Sequence, residues 1–154
     1  MKRSRIREHI FALMFMSEFN PPDEMPEVLK LYLESEETGG DKAAEEEIKE
    51  KYERIVPYFS RLDEVIDRYS KKWPVLRIGK VELTILRLAV YEILLDDAVP
   101  EKVAVNEAVE LAKKYGQDNG GSFVNGVLSG VLKDKDACLT FLRDKGEWPK
   151  EEES

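Results

Sequence analysis

Every periodic stretch of this chain repeats at helical spacing. Ile6, Ile10, Leu13 and Met14 recur three and four apart within residues 3–19, and Phe11, Phe15 and Phe19 widen the stripe. Ser4 is placed to cap this helix. Asn20-Pro21-Pro22 ends it, because a residue before proline avoids the α region. A shorter helix follows Asp23, with Val28, Leu29, Leu31, Tyr32 and Leu33 as its apolar content. Residues 34–42 are acidic and contain Gly39-Gly40, the signature of an exposed loop. Residues 42–69 carry more charge, and Pro57 inside them predicts a break, since proline removes a ladder hydrogen bond and clashes one turn back. Past the break, Phe59, Leu62, Val65, Ile66 and Tyr69 return to spacings of three and four, and Trp73-Pro74 closes that segment.

Residues 77–97 are the most apolar. Val81, Leu83, Ile85, Leu86, Leu88, Ala89, Val90, Ile93 and Leu94 cover nearly the whole helical circumference. A helix apolar on all sides in a chain without a membrane span belongs at the centre of a bundle. After Pro100, Val105, Ala108, Val109, Leu111, Ala112 and Tyr115 form one face of a further helix, with Gly116 placed as its C-cap. A polar loop, residues 117–121, leads to Ser122 at the head of a helix with Phe123, Val124, Val127, Leu128, Val131 and Leu132 on its buried side. A last short helix is expected over residues 136–143. No segment has the alternation or turn chemistry of a hairpin. The pattern predicts an all-α bundle of about seven helices, one domain over residues 1–145, and a charged, disordered tail over residues 146–154.

Composition narrows the chemistry. The chain has 154 residues, 24 Lys plus Arg against 32 Asp plus Glu, and a net charge of −8. No apolar run approaches the roughly 20 residues of a membrane helix and no signal peptide opens the chain, so a soluble, cytoplasmic protein is expected. One Cys and one His exclude a disulfide and a Cys-rich zinc site. Phosphate-cradling glycine loops and HExxH motifs are absent, so no cofactor, metal or catalytic residue is assigned. His9 reads as solvated or locally hydrogen-bonded, and Cys138 as a partly buried thiol. An acidic chain is a poor indiscriminate ligand for nucleic acid, whose affinity rests on cations neutralising phosphates.

Two local features cut against that average. Lys2, Arg3, Arg5 and Arg7 place four cations within six residues, and Arg3, Arg7, Phe11 and Phe15 fall four apart along the first helix. Cations that hold phosphates beside rings that accept bases suit single-stranded nucleic acid. An exposed basic end beside core phenylalanines satisfies the same spacing. Ser122, Gly126 and Gly130 also recur every four residues, which fits either tight helix packing or a groove that receives a ligand backbone. Asn106 and Asn125, amides within apolar helices, are expected to make internal hydrogen bonds.

Three blocks, in order, resemble the NusB family. RIREHIFALMF at residues 5–15 is similar to the family's opening helix, and VELTILRLAVYE at 81–92 to its central one. VNEAVELAKKYG at 105–116, followed by FVNGVL at 123–128, is similar to its closing signature. The resemblance covers nearly the whole chain. It implies a non-enzymatic transcription antitermination factor that binds boxA single-stranded RNA together with NusE, a small-subunit ribosomal protein, within a transcription elongation complex. It further implies that Lys2, Arg3, Arg5, Arg7, Phe15, Asn119, Ser122 and Phe123 face RNA and that Glu82 belongs to the side facing NusE. Phe15 stands where many relatives have Tyr, Ser122 where Lys is common, and Asn119 where an acidic residue is common; these departures predict greater dependence on the partner. A homodimer that occludes the groove is compatible with the sequence. So is a protein-interaction scaffold that retains the fold without the RNA site. The similar helical domain of RNA cytosine methyltransferases would require a downstream catalytic domain.

Overall fold

The computed structural model describes residues 1–71, 73–144 and 148. Among them are eight α-helices, three short 3-10 turns and no strand. The backbone forms two compact units, Met1–Pro57 and Tyr58–Ser154. The tail predicted over residues 146–154 lies outside the described residues apart from Trp148, whose ring stacks on Phe141 with centroids 4.2 Å apart.

In the first unit, α1 spans Arg3–Met16, α2 Met25–Glu34 and α3 Lys42–Ile55. Lys2 occupies the N-cap of α1 without a side-chain bond, so Ser4 lies inside the helix and is not its cap. The other end stops before Phe19 because two side chains take its last carbonyls. Ser17 Oγ donates to Met14 O at 2.5 Å and Asn20 Nδ2 to Met16 O at 2.8 Å. Ile6, Ile10, Leu13 and Met14 are buried as their spacing requires, and α1 packs on α3. In α2 only Met25 and Leu29 are buried, and Leu31 faces solvent. The acidic loop is less open than its composition suggests. A 3-10 turn, Glu36–Thr38, buries Thr38, whose hydroxyl donates to Glu45 Oε1 at 2.9 Å, and Gly39 and Gly40 supply the positive φ that lets the chain turn toward α3. Asp41 caps α3 by accepting from the Ala44 N–H at 3.1 Å.

The second unit is organised around α5, Lys80–Leu95, in which every residue from Glu82 to Leu94 is buried. Around it pack α4 (Phe59–Tyr69), α6 (Glu101–Tyr115), α7 (Gly120–Lys133) and α8 (Lys135–Asp144). A 3-10 turn at Val56–Tyr58 realises the break expected at Pro57, and another at Val75–Arg77 leads into α5. The α5 sequence also buries charge. Arg87 donates from Nε to Asp63 Oδ1 at 2.6 Å and from a terminal nitrogen to Asp63 Oδ2 at 2.8 Å, a two-pronged bond that fixes α4 on α5. The Arg87 guanidinium also lies 5.0 Å from the Phe59 ring centroid.

His9 is buried on α1, which excludes the solvated alternative and leaves the locally bonded one. Its Nδ1 lies 2.5 Å from Tyr32 Oη, while Nε2 has no hydrogen-bond partner. Burial, then the nearby Arg5 charge, lowers its pKa below the ordinary histidine value, against smaller opposing effects of Glu8 and Glu37. The unfolded chain therefore takes up this proton at a higher pH than the folded one. Its contribution to stability is complete above the unfolded pKa, about 6.5, and is lost as pH falls from there toward the folded value. We expect urea midpoints to fall between pH 7 and pH 5, and the slope to flatten by up to about 1.4 kcal/mol per pH unit in His9→Phe. An unaltered slope in that variant assigns the pH dependence to other groups.

Candidate nucleic-acid interface

The basic N-terminus resolves into side chains with different commitments. Lys2 and Arg5 are exposed, and Arg5 reaches Glu8 at 3.3 Å. Arg3 is exposed but doubly hydrogen-bonded to Glu47 of α3, which raises its pKa. Such a surface pair is worth little and exchanges readily for a phosphate. Arg7 is buried. Four-residue steps on a helix drift by about 40° each, so the row Arg3, Arg7, Phe11, Phe15 does not stay on one face. It starts in solvent at Arg3, passes through the buried side at Arg7 and Phe11, and emerges at half-buried Phe15. The drift divides the row into a basic end and an aromatic end.

That aromatic end is a ladder. Phe11 and Phe15 are offset-stacked with centroids 6.2 Å apart, and Phe15 meets Phe19 edge to face at 5.0 Å. Burial decreases along it, from Phe11 to Phe19, which is 64 % exposed. Phe19 was readable in sequence only as stripe filler. Its position beyond the Ser17 and Asn20 stops is what leaves it in solvent.

In the second unit, the loop residues singled out by resemblance lie at the start of α7. Asn119 occupies its N-cap position and is exposed without a side-chain capping bond; Ser122 is exposed and Phe123 half-buried. The helix begins at Gly120, two residues before the expected head at Ser122. Glu82 is buried behind this loop. Its Oε1 accepts the Gln117 N–H at 2.9 Å, and glycines surround the carboxylate closely. A Cβ on Gly79 would come within 2.6 Å of Oε2, and one on Gly116 or Gly120 within 2.7 or 3.0 Å of Oε1. The acid thus pins the α6–α7 loop to the first turn of α5. A side chain so enclosed offers little surface of its own to a partner.

The row of small residues on α7 has two explanations, one per glycine. A Cβ on Gly130 would lie 2.8 Å from the Tyr69 ring, and Tyr69 cannot retreat because its hydroxyl donates to Asp134 Oδ2 at 2.9 Å and accepts from Cys138 Sγ at 3.6 Å. A Cβ on Gly126 would meet nothing within 4 Å. Gly130 serves packing, and Gly126 forms the floor of an open groove of about 960 Å³ between the end of α4 and α7. Trp73 and Phe123 line both this groove and a smaller one of about 360 Å³ beside Glu82. Asn106 and Asn125 do not make the internal hydrogen bonds expected of them. Both fall opposite the buried faces of α6 and α7, are exposed, and line a third depression of about 730 Å³.

Cys138 is completely buried, and burial raises its thiol pKa, which suppresses the thiolate a nucleophile needs. Among the described residues no group of three His, Cys, Asp or Glu side chains could hold a metal ion, and no helix is long and apolar enough to cross a membrane.

Two substitutions on one helix should act in opposite directions. Gly126→Ala removes the glycine penalty without a clash and should stabilise by up to about 1 kcal/mol. Gly130→Ala meets the immobile Tyr69 ring and should cost about 1–3 kcal/mol despite the better helix former; urea denaturation of both variants measures the difference. Glu82→Ala should release the 117–120 loop, seen as faster amide exchange at Gln117 while exchange in the middle of α5 is preserved. Equal protection of Gln117 in both proteins rules out the pinning role.

The NusB family model matches residues 4–133. Transcription antitermination protein NusB of Agathobacter rectalis is 47 % identical over 129 residues, covering 84 % of this chain and 98 % of that one. The protein of the same name from Clostridium novyi is 39 % identical over 133 residues, covering 86 % and 99 %. Among solved structures, T. maritima NusB superposes with a TM-score of 0.78 at 35 % identity, covering 87 % of this chain and 92 % of that one. These relatives carry the name of an antitermination protein and not of an enzyme. The chain belongs to the NusB family.

Proposed function

We propose that this protein is a transcription antitermination factor that binds boxA-type single-stranded RNA jointly with the ribosomal protein NusE, within the elongation complex, to promote complete transcription of ribosomal RNA operons. The observation that carries this reading is the pairing of chemistries on α1 in a family of antitermination proteins. Lys2 and Arg5 are exposed at one end, and rings graded into solvent from Phe11 to Phe19 lie at the other. Exposed cations engage phosphates, and an exposed ring edge or face accepts an unstacked base. In the second unit, Asn119, Ser122 and Phe123 offer an amide, a hydroxyl and a ring on a loop held by Glu82. The same reading makes NusE a partner that supplies contacts this chain lacks. Arg7 is buried, so the cations immediately available on α1 are fewer than the sequence suggests.

The direct test is a gel-shift titration of a boxA oligomer and a scrambled oligomer, with and without NusE, at two salt concentrations. Weak binding alone and preferential, tighter binding of boxA with NusE is the expected result. Lys2→Ala plus Arg5→Ala should weaken binding at least fivefold and reduce the slope of log affinity against log salt by about 1.4, at about 0.7 per lost single-strand phosphate contact. Arg7 is left intact because its burial would confound binding with folding. Unchanged affinity in the double variant, or no preference for boxA in the presence of NusE, favours a protein-interaction scaffold instead.

A further inference from the structure

We infer that the groove between the end of α4 and the outer face of α7 is a track for the phosphodiester backbone of single-stranded RNA, flanked by two rings for its bases. This rests on the RNA-binding reading above and extends it from Ser122 and Phe123 to the ends of α4 and α7, whose Lys71, Trp73 and Lys133 neither the sequence motifs nor the resemblance picks out.

Four observations converge on it. First, the groove is basic in a chain of net charge −8: Arg68, Lys71 and Lys133 line it against a single acid, Asp134. That acid is engaged, because Asp134 Oδ2 accepts the Tyr69 hydroxyl at 2.9 Å. Second, Lys71 and Lys133 are exposed and stand at the ends of α4 and α7, where they face incoming anions with little desolvation to overcome. Third, Trp73 is 51 % exposed and lines the groove with Phe123, so the cations are accompanied by two π-faces, as in surfaces that hold single strands by phosphate contact and base stacking. Fourth, the floor is smooth where the fold does not require it. Gly126 has open space where a side chain would be, in the middle of a helix that disfavours glycine, whereas Gly130 in the same row is needed for packing. A helical glycine with open space above it leaves room for a ligand backbone to approach the helix surface.

Charge selects the occupant. An acidic protein segment would also answer to the cations, but it would leave the exposed tryptophan and the flat floor without a role. A single RNA strand uses all three features at once. The strand would run along α7 past Ser122 toward Phe123, and Trp73 and Phe123 continue into the smaller depression beside the 117–120 loop.

The test uses the full chain, with an unstructured single-stranded RNA oligomer as probe, with and without NusE, followed by fluorescence anisotropy. Three proteins are compared with the parent: Lys71→Glu plus Lys133→Glu, Gly126→Gln, and Lys102→Glu, an exposed charge reversal on α6 away from the groove. The double reversal and the neutral obstruction at Gly126 should each weaken RNA binding about tenfold or more, and the double reversal should also lower the salt slope by about 1.4. Lys102→Glu should stay within twofold. Parent-like RNA affinity in both groove variants overturns the track while leaving the function proposed above intact. A parent that binds no RNA under either condition removes that function and the track together. Loss of NusE capture with RNA affinity preserved assigns the groove to a protein instead. Melting curves establish that each variant is folded, and if Gly126→Gln is not, the exposed lysine pair decides the matter alone.

Discussion

The constraint on which the second unit depends is the burial of α5 along almost its whole length. A helix with apolar residues on every side has no face to give to water, so helices must surround it, and α4, α6, α7 and α8 do. Once it is enclosed, its three buried charged residues, at 82, 87 and 92, need internal answers. Arg87 finds Asp63 and so sets α4. Glu82 finds the Gln117 N–H and a cage of glycines and so sets the loop before α7. The positions of α4 and α7, and thus the width of the groove between them, follow from charges buried on a helix that cannot expose them.

This arrangement separates residues that hold from residues that present. Glu82, Tyr69 and Gly130 hold: they are enclosed, bonded or in close contact, and a change in any of them moves backbone. Lys71, Trp73, Lys133 and Gly126 present: they meet solvent. The same separation exists on α1, where Arg7 and Phe11 are buried while Lys2, Arg5 and Phe19 face outward. Residue type does not predict membership. Two arginines two positions apart, Arg5 and Arg7, fall on opposite sides of the division, as do two glycines four apart.

Much of the fold was legible because helical periodicity survives in the sequence wherever a helix has one buried face. The saturated stretch that became α5, the break at Pro57 and the all-α class all follow from spacing and proline chemistry. Spacing alone left exposure undecided where a small angular step accumulates. The row from Arg3 to Phe15 drifts by about 40° at each four-residue step, and the drift carries its middle into the interior. The asparagines failed for a related reason: Asn106 and Asn125 stand among apolar neighbours in sequence but on the outer faces in space. The groove was only half visible. Ser122, Gly126 and Gly130 announced a smooth face on α7, but the cations and the tryptophan opposite come from the end of α4 and the turn beyond it, and no local pattern joins two segments some fifty residues apart.

The aromatic ladder on α1 has a consequence for kinetics. A solitary exposed phenylalanine samples several rotamers, and a ligand that lands on it must quench that motion. Here Phe19 rests edge-on against Phe15, which stacks on Phe11, which is buried. Immobility is relayed outward from the interior through two ring contacts to a side chain in solvent. A flat ligand meets a surface whose ordering cost was met during folding, and the benefit of such preorganisation lies in how long the ligand stays more than in how often it arrives. For a flat ligand that stacked there, the interior of the first unit would thereby set the residence time.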